Sequence, residues 1–158
     1  MADRVSVPDE VVALKLLDRV DYGDAFTIGN AGQQPPEFWV RHALGGVSPA
    51  LIGLVRRVQQ GLGLRLAAES HEHPLGWDIL HSGPEAFILG AEGRLGSARI
   101  ISTTPPNKVV VTTLLRFDSA ASRAAWILVA PLHRAVAHYL LDHAAKVTTA
   151  RRAMGVQK

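Results

Sequence analysis

Residues 107–117, Asn-Lys-Val-Val-Val-Thr-Thr-Leu-Leu-Arg-Phe, run almost directly into a long, mostly apolar segment from Ser119 to Met154. The first part reads as a strand. Val109, Val111, Thr113, Leu115 and Phe117 alternate with Lys108, Val110, Thr112, Leu114 and Arg116, and the first, more apolar set is expected to point inward. The second part reads as a helix. At about 100° per residue, Trp126, Val129, Ala130, His133, Val136, Ala137, Leu140 and Ala144 fall on one broad stripe, with His133 near its middle. A long terminal helix carrying such a stripe, after a series of strands, predicts a helix laid across a curved antiparallel sheet.

Working back from that pair, the preceding chain supplies the other strands. Residues 76–81, 85–91 and 95–102 are short, apolar-rich and bounded by turn residues, with Ser82-Gly83-Pro84 and Glu92-Gly93 as hairpin connections. Thr103-Thr104-Pro105-Pro106 interrupts pairing before the strongest strand. Further back, Tyr22, Asp24, Phe26 and Ile28 alternate with Gly23, Ala25 and Thr27, a plausible first strand. Two short helices follow it. Pro35-Pro36-Glu37 opens one and Gly45-Gly46 stops it; Ser48 caps the next, with Pro49 at its first position and Gly61 at its end. Leu51, Leu54, Val55 and Val58 form the second helix's stripe. Residues 8–20 are open between a short helix and a packed arm. Strands joined by hairpins, with helices segregated to either end, define an α+β domain rather than a βαβ fold. The expected division is an N-terminal arm or short helix over 1–20, a single domain over 21–150 and a basic flexible tail over 151–158.

A chain of 158 residues with 47% hydrophobic and 20% charged residues suits one globular domain with a sizeable core. Cysteine is absent, which removes disulfides, thiolate metal sites and thiol catalysis. The N-terminus lacks the apolar core of a signal peptide. The longest apolar run, Ala124 to Leu132, is short of the roughly 20 residues that span a bilayer. A cytoplasmic protein without membrane insertion is therefore expected. Lys146, Arg151, Arg152 and Lys158 give the C-terminus four cations and no acid, against a net charge of +3 for the whole chain. A solvated end explains this more simply than a nucleic-acid contact, and the aromatics form no base-stacking motif.

Seven histidines invite a metal hypothesis, which their spacing does not support. His133, His138 and His143 are five apart, each step turning about 140° round a helix, so the three do not converge on one ion. His71-Glu72-His73 lies before Pro74 with no third ligand marked. No metal and no cofactor are expected. Gly-x-Ser-x-Gly and phosphate-binding glycine motifs are absent too. His133 differs from the others because its helical neighbours are apolar. It is either a core histidine held by one hydrogen bond or a polar anchor and acid/base group facing a cavity. Pro131, in the same helix, removes a backbone donor; a bend and a break are both open. Arg99 sits where either alternate set of its strand could face in, and the solvated register turns it outward. The facing of His81 is also left open.

Together, Asp21-Tyr-Gly-Asp-Ala-Phe26, Gly76-Trp-Asp-Ile-Leu80, Val109-Val-Val-Thr-Thr-Leu114 and Ala130-Pro-Leu-His-Arg134 resemble an uncharacterised bacterial domain family of the START-like superfamily, the helix-grip group that includes polyketide cyclases and lipid-transfer domains. The resemblance covers about Asp21 to His143. It implies a helix-grip fold, and, in relatives fused to NAD(P)-binding epimerase-like domains, a separate NAD(P)-binding protein as partner here. The function expected is binding of a small apolar or amphipathic molecule between sheet and last helix. Trp126, His133, Thr113, Val111, Phe26 and Trp77 are the candidate ligand-binding residues and His133 the candidate catalytic one. The alternatives are a cyclase- or dehydratase-type enzyme using His133 as acid/base, and an accessory module with a filled core. A homodimer is admitted as well.

Overall fold

The computed structural model describes residues 1–29 and 34–155, with side chains described as far as residue 150. Its elements, in chain order, are β1 (Ala2–Val5), α1 (Asp9–Ala13), β2 (Tyr22–Gly29), α2 (Pro36–Gly45), α3 (Pro49–Gly61), a 3-10 turn (Pro74–Gly76), β3 (Asp78–Ser82), β4 (Ala86–Gly93), β5 (Gly96–Thr103), β6 (Lys108–Phe117) and α4 (Ala120–Gly155). The strands form one open antiparallel sheet in the order β1-β2-β6-β5-β4-β3. The arrangement is α+β and compatible with a helix-grip.

The boundaries follow local chemistry. Pro35 and Ser48 precede α2 and α3, each of which has proline in its first turn, and the Ser48 hydroxyl accepts from the Leu51 N–H at 3.3 Å. Such a bond satisfies one of the N–H groups left unpaired at a helix start. At β6 the register pairs Tyr22 with Leu115, Asp24 with Thr113 and Phe26 with Val111. Directly paired residues share a face, so the inner row of β6 and the alternate residues of β2 make one continuous surface. Val109, Thr113 and Leu115 are buried on it, against α2 and α4.

The opposite row is buried as well, at Val110, Thr112 and Leu114. Its cover is the N-terminal segment: Val11 and Leu17 pack with Ile88, Ile101 and Leu114, with Val7 and Leu16 at the margin. Residues 1–20 thus supply both an edge strand and an outer layer. β1 escapes a periodicity reading because only Ala2 of its four residues is buried; charged Asp3 and Arg4 on an edge strand discourage further pairing. The Ala2 N–H donates to Asp142 of α4. At the other end, Asp21 accepts from Arg19, Arg123 and the Phe117 N–H, fastening the start of β2 to the end of β6 and the start of α4. Arg19 first, then the Phe117 N–H, hold the Asp21 carboxyl below its ordinary range.

α4 continues through Pro131 as one helix, so the proline does not break it. By length and composition α4 is long and apolar enough to cross a membrane, a property the run Ala124–Leu132 alone does not disclose. Here its inner side lies on the sheet, while Ile127, Leu128, Leu132 and Tyr139 are exposed on its outer side. The basic residues Arg151, Arg152 and Lys158 lie outside the described side chains.

Candidate functional site

Between the inner sheet face and helices α2, α3 and α4 lies an apolar space of about 190 Å³. Its floor comes from β5 and β6, through Ala98, Ile100, Val111 and Thr113, and its far wall from Leu75 and Trp77. α4 contributes the roof through Trp126, Val129, His133, Val136, Ala137 and Leu140. Six of the eight stripe positions therefore face it, and the other two, Ala130 and Ala144, are buried beside it. α3 closes one side with Leu54, Val55, Val58 and Gln59, yet none of its residues is buried. It is held in part by Trp77, whose Nε1–H donates to Gln59 Oε1 at 3.2 Å. All six candidate residues, Phe26, Trp77, Val111, Thr113, Trp126 and His133, border this one space.

Polar groups gather at one wall. Asp24, on the inner face of β2, has a side chain with 0% exposure, and its Oδ2 lies 3.5 Å from His133 Nε2. The Tyr22 hydroxyl donates to the same oxygen at 2.6 Å. Trp126 links these groups, with its ring centroid 5.1 Å from Tyr22 and 5.1 Å from His133. Three buried polar atoms of this cluster, Asp24 Oδ1, Trp126 Nε1 and His133 Nε2, make no ordinary hydrogen bond among the described residues. Buried polar atoms normally find partners; seven further unpartnered atoms lie elsewhere among the described residues.

The electrostatics follow from this geometry. Burial pushes the Asp24 carboxyl up, but the His133 imidazole and the Tyr22 hydroxyl more than offset it, leaving the group below its ordinary value. Burial, then the bond to Asp24, raise the Tyr22 hydroxyl well above its usual range. Asp24 is thus an anion and Tyr22 a neutral donor at neutral pH.

His133 is less buried than a core histidine, at 23% side-chain exposure, and its partner lies on β2 rather than in the β6 row. The other helical histidines go elsewhere. His138 Nδ1 is 3.9 Å from Asp142 Oδ2, and His143 stacks on Tyr139. His73 lies 3.4 Å from Asp78. Among the described residues no group of three metal-ligating side chains forms. Arg99 turns to the outer face, where it pairs with Glu92 at 2.6 Å, and His81 is exposed on edge strand β3. Comparison with protein-family models, curated proteins and solved structures finds no match to the chain.

Proposed function

We propose that the chain binds a small apolar or amphipathic molecule in the space between sheet, α3 and α4, within a fold of the helix-grip kind. The observation carrying this reading is an apolar space whose lining includes only a few polar side chains, among them Thr113, Trp126 and His133. Small-molecule sites combine the same two features, apolar lining for affinity and a few placed polar groups for orientation. The loosely packed α3 supports it as well, because a helix without a buried residue can yield to an entering ligand at little cost.

An acid/base enzyme is the second reading, favoured by one observation, the buried Asp24 beside His133. A carboxylate in that position orients an imidazole and stabilises its protonated form, as general catalysis requires. Binding is common to both readings and is tested first. Titration with prodan, a neutral naphthalene-based fluorophore, should give a saturable rise in emission with the unaltered protein. Val111→Phe places a ring in the space and should suppress that rise while leaving the thermal midpoint nearly unchanged. Emission that never saturates, or that is equal in both proteins, refutes the proposal.

A further inference from the structure

α4 has a second apolar face, which the sheet does not use. On its outer side Ile127, Leu128, Leu132 and Tyr139 are 67%, 82%, 46% and 52% exposed, and Ala124, Pro131 and Ala135 are exposed between them. These are all the exposed positions from Ala124 to Tyr139, and none carries a charge. A helix that only covers a core turns charged and polar residues to water on that side.

The face also has an order. Ala124, Leu128, Pro131 and Ala135 step by four, three and four residues, the spacing of a coiled-coil seam. At about 100° per residue they lie within roughly 60° of one another, with Ile127 on one flank and Leu132 on the other. Small residues at both ends of the seam let a second helix come close. Such a pattern suits another helix better than a bilayer surface. An interfacial helix needs cations bordering its apolar face and aromatic anchors on it, whereas this stretch exposes one aromatic, Tyr139, and no cation.

Size and symmetry point to the same occupant. Four large side chains roughly half to four-fifths in water, with three small ones between them, present on the order of 500 Å² of apolar surface, near the upper end for the largest patch on an ordinary monomer. Two copies face to face bury on the order of 1,000 Å², the lower bound for a specific interface and the size of a weak, reversible one. A two-fold axis sets the same patch against itself, and a patch without charge meets no like charge there.

We infer that two copies of this chain pair through the outer face of α4, with the seam Ala124, Leu128, Pro131 and Ala135 at the centre of a reversible, two-fold dimer.

The test is sedimentation velocity of the full chain from low micromolar to near-millimolar concentration. The unaltered protein should pass from monomer to dimer with a dissociation constant on the order of 10 µM, as a patch of this size implies. Leu128→Glu sets two carboxylates into the seam and should weaken pairing more than about ten-fold; its side chain is 82% exposed, so the fold should survive. Ala135→Glu gives an independent second reading at the other end of the seam. Val12→Glu, at an exposed apolar position on α1 away from α4, should dimerise like the parent. A chain that stays monomeric throughout overturns the inference. Dimers that both α4 variants leave intact overturn it as well, since pairing then uses another surface. Assembly beyond the dimer removes the closed two-fold. A monomer that instead floats with phosphatidylcholine–phosphatidylglycerol vesicles, and ceases to with Leu128→Glu, assigns the face to a membrane and refutes the dimer.

Discussion

Replacing Asp24 by asparagine tests the polar wall through folding stability, without knowledge of any ligand. The amide keeps the volume, and its oxygen can still accept from Tyr22. What disappears is the charge beside His133. Two effects compete: the carboxylate's burial disfavours the anion, while His133 and Tyr22 favour it. Because the folded-state pKa lies below the ordinary value, the favourable contacts win, and removing the charge should destabilise. A hydrogen bond to a charged group contributes about 1.5–3 kcal/mol and a neutral one about 0.5–1.5. The 2.6 Å Tyr22 bond is weakened rather than lost, and the His133 contact is long at 3.5 Å. A loss of about 1–3 kcal/mol follows, read in urea melts or as a midpoint lowered by roughly 2–4 °C per kcal/mol. The pH dependence gives a second check. A depressed carboxyl pKa contributes stability that is present above the unfolded value of about 3.9 and is lost as pH falls through the folded value. The gap between unaltered protein and variant should therefore be full at pH 7 and close below pH ~3.9. Other carboxylates titrate equally in both proteins and cancel. A variant as stable as its parent at pH 7, or a gap independent of pH, refutes the assignment of Asp24 as a net-favourable buried anion.

Three further changes probe the frame around the wall. Trp126→Ala removes a ring packed on Tyr22, Phe117 and His133 and should cost about 3 kcal/mol in denaturant melts, the lower end for a large aromatic because one side already faces open space. Pro131→Ala should raise stability by about 1–3 kcal/mol, since the helix continues through the proline and alanine restores a donor; a lowered midpoint would mean that the packing of α4 depends on a bend there. Gly93→Ala should destabilise strongly, because a β-carbon would stand 2.1 Å from the Gly63 carbonyl oxygen where the segment after α3 bridges to β4. Thermal melts check this, and a tolerated alanine would show that the bridge is readily displaced.

Periodicity disclosed whatever repeats. The β6 alternation, the α4 stripe and the proline and serine starts of α2 and α3 are local signals, and each element stands where its signal lies. The outer layer was hidden for a physical reason. β1 buries one residue in four and α1 is five residues long, so neither spans enough periods to show a face. β6 itself carried the missing hint: Val110, Thr112 and Leu114 are too apolar a row to face water. A strand apolar on both sides calls for a second cover.

The polar wall was half legible in the same way. His133 stood out on an apolar stripe, whereas Asp24, on the row of Tyr22, Phe26 and Ile28, was read only as a position of the first strand. Their meeting depends on tertiary geometry. β2 must pair with β6 so that Asp24 lies opposite Thr113, and α4 must cross so that His133 comes over that pair. Neither condition is written in local periodicity. Two polar residues on separate apolar faces are nevertheless strong candidates to meet, because a buried carboxylate without a partner costs more than a fold can easily sustain. That rule accounts for the meeting of Asp24 and His133 once the strand pairing and the helix crossing are known.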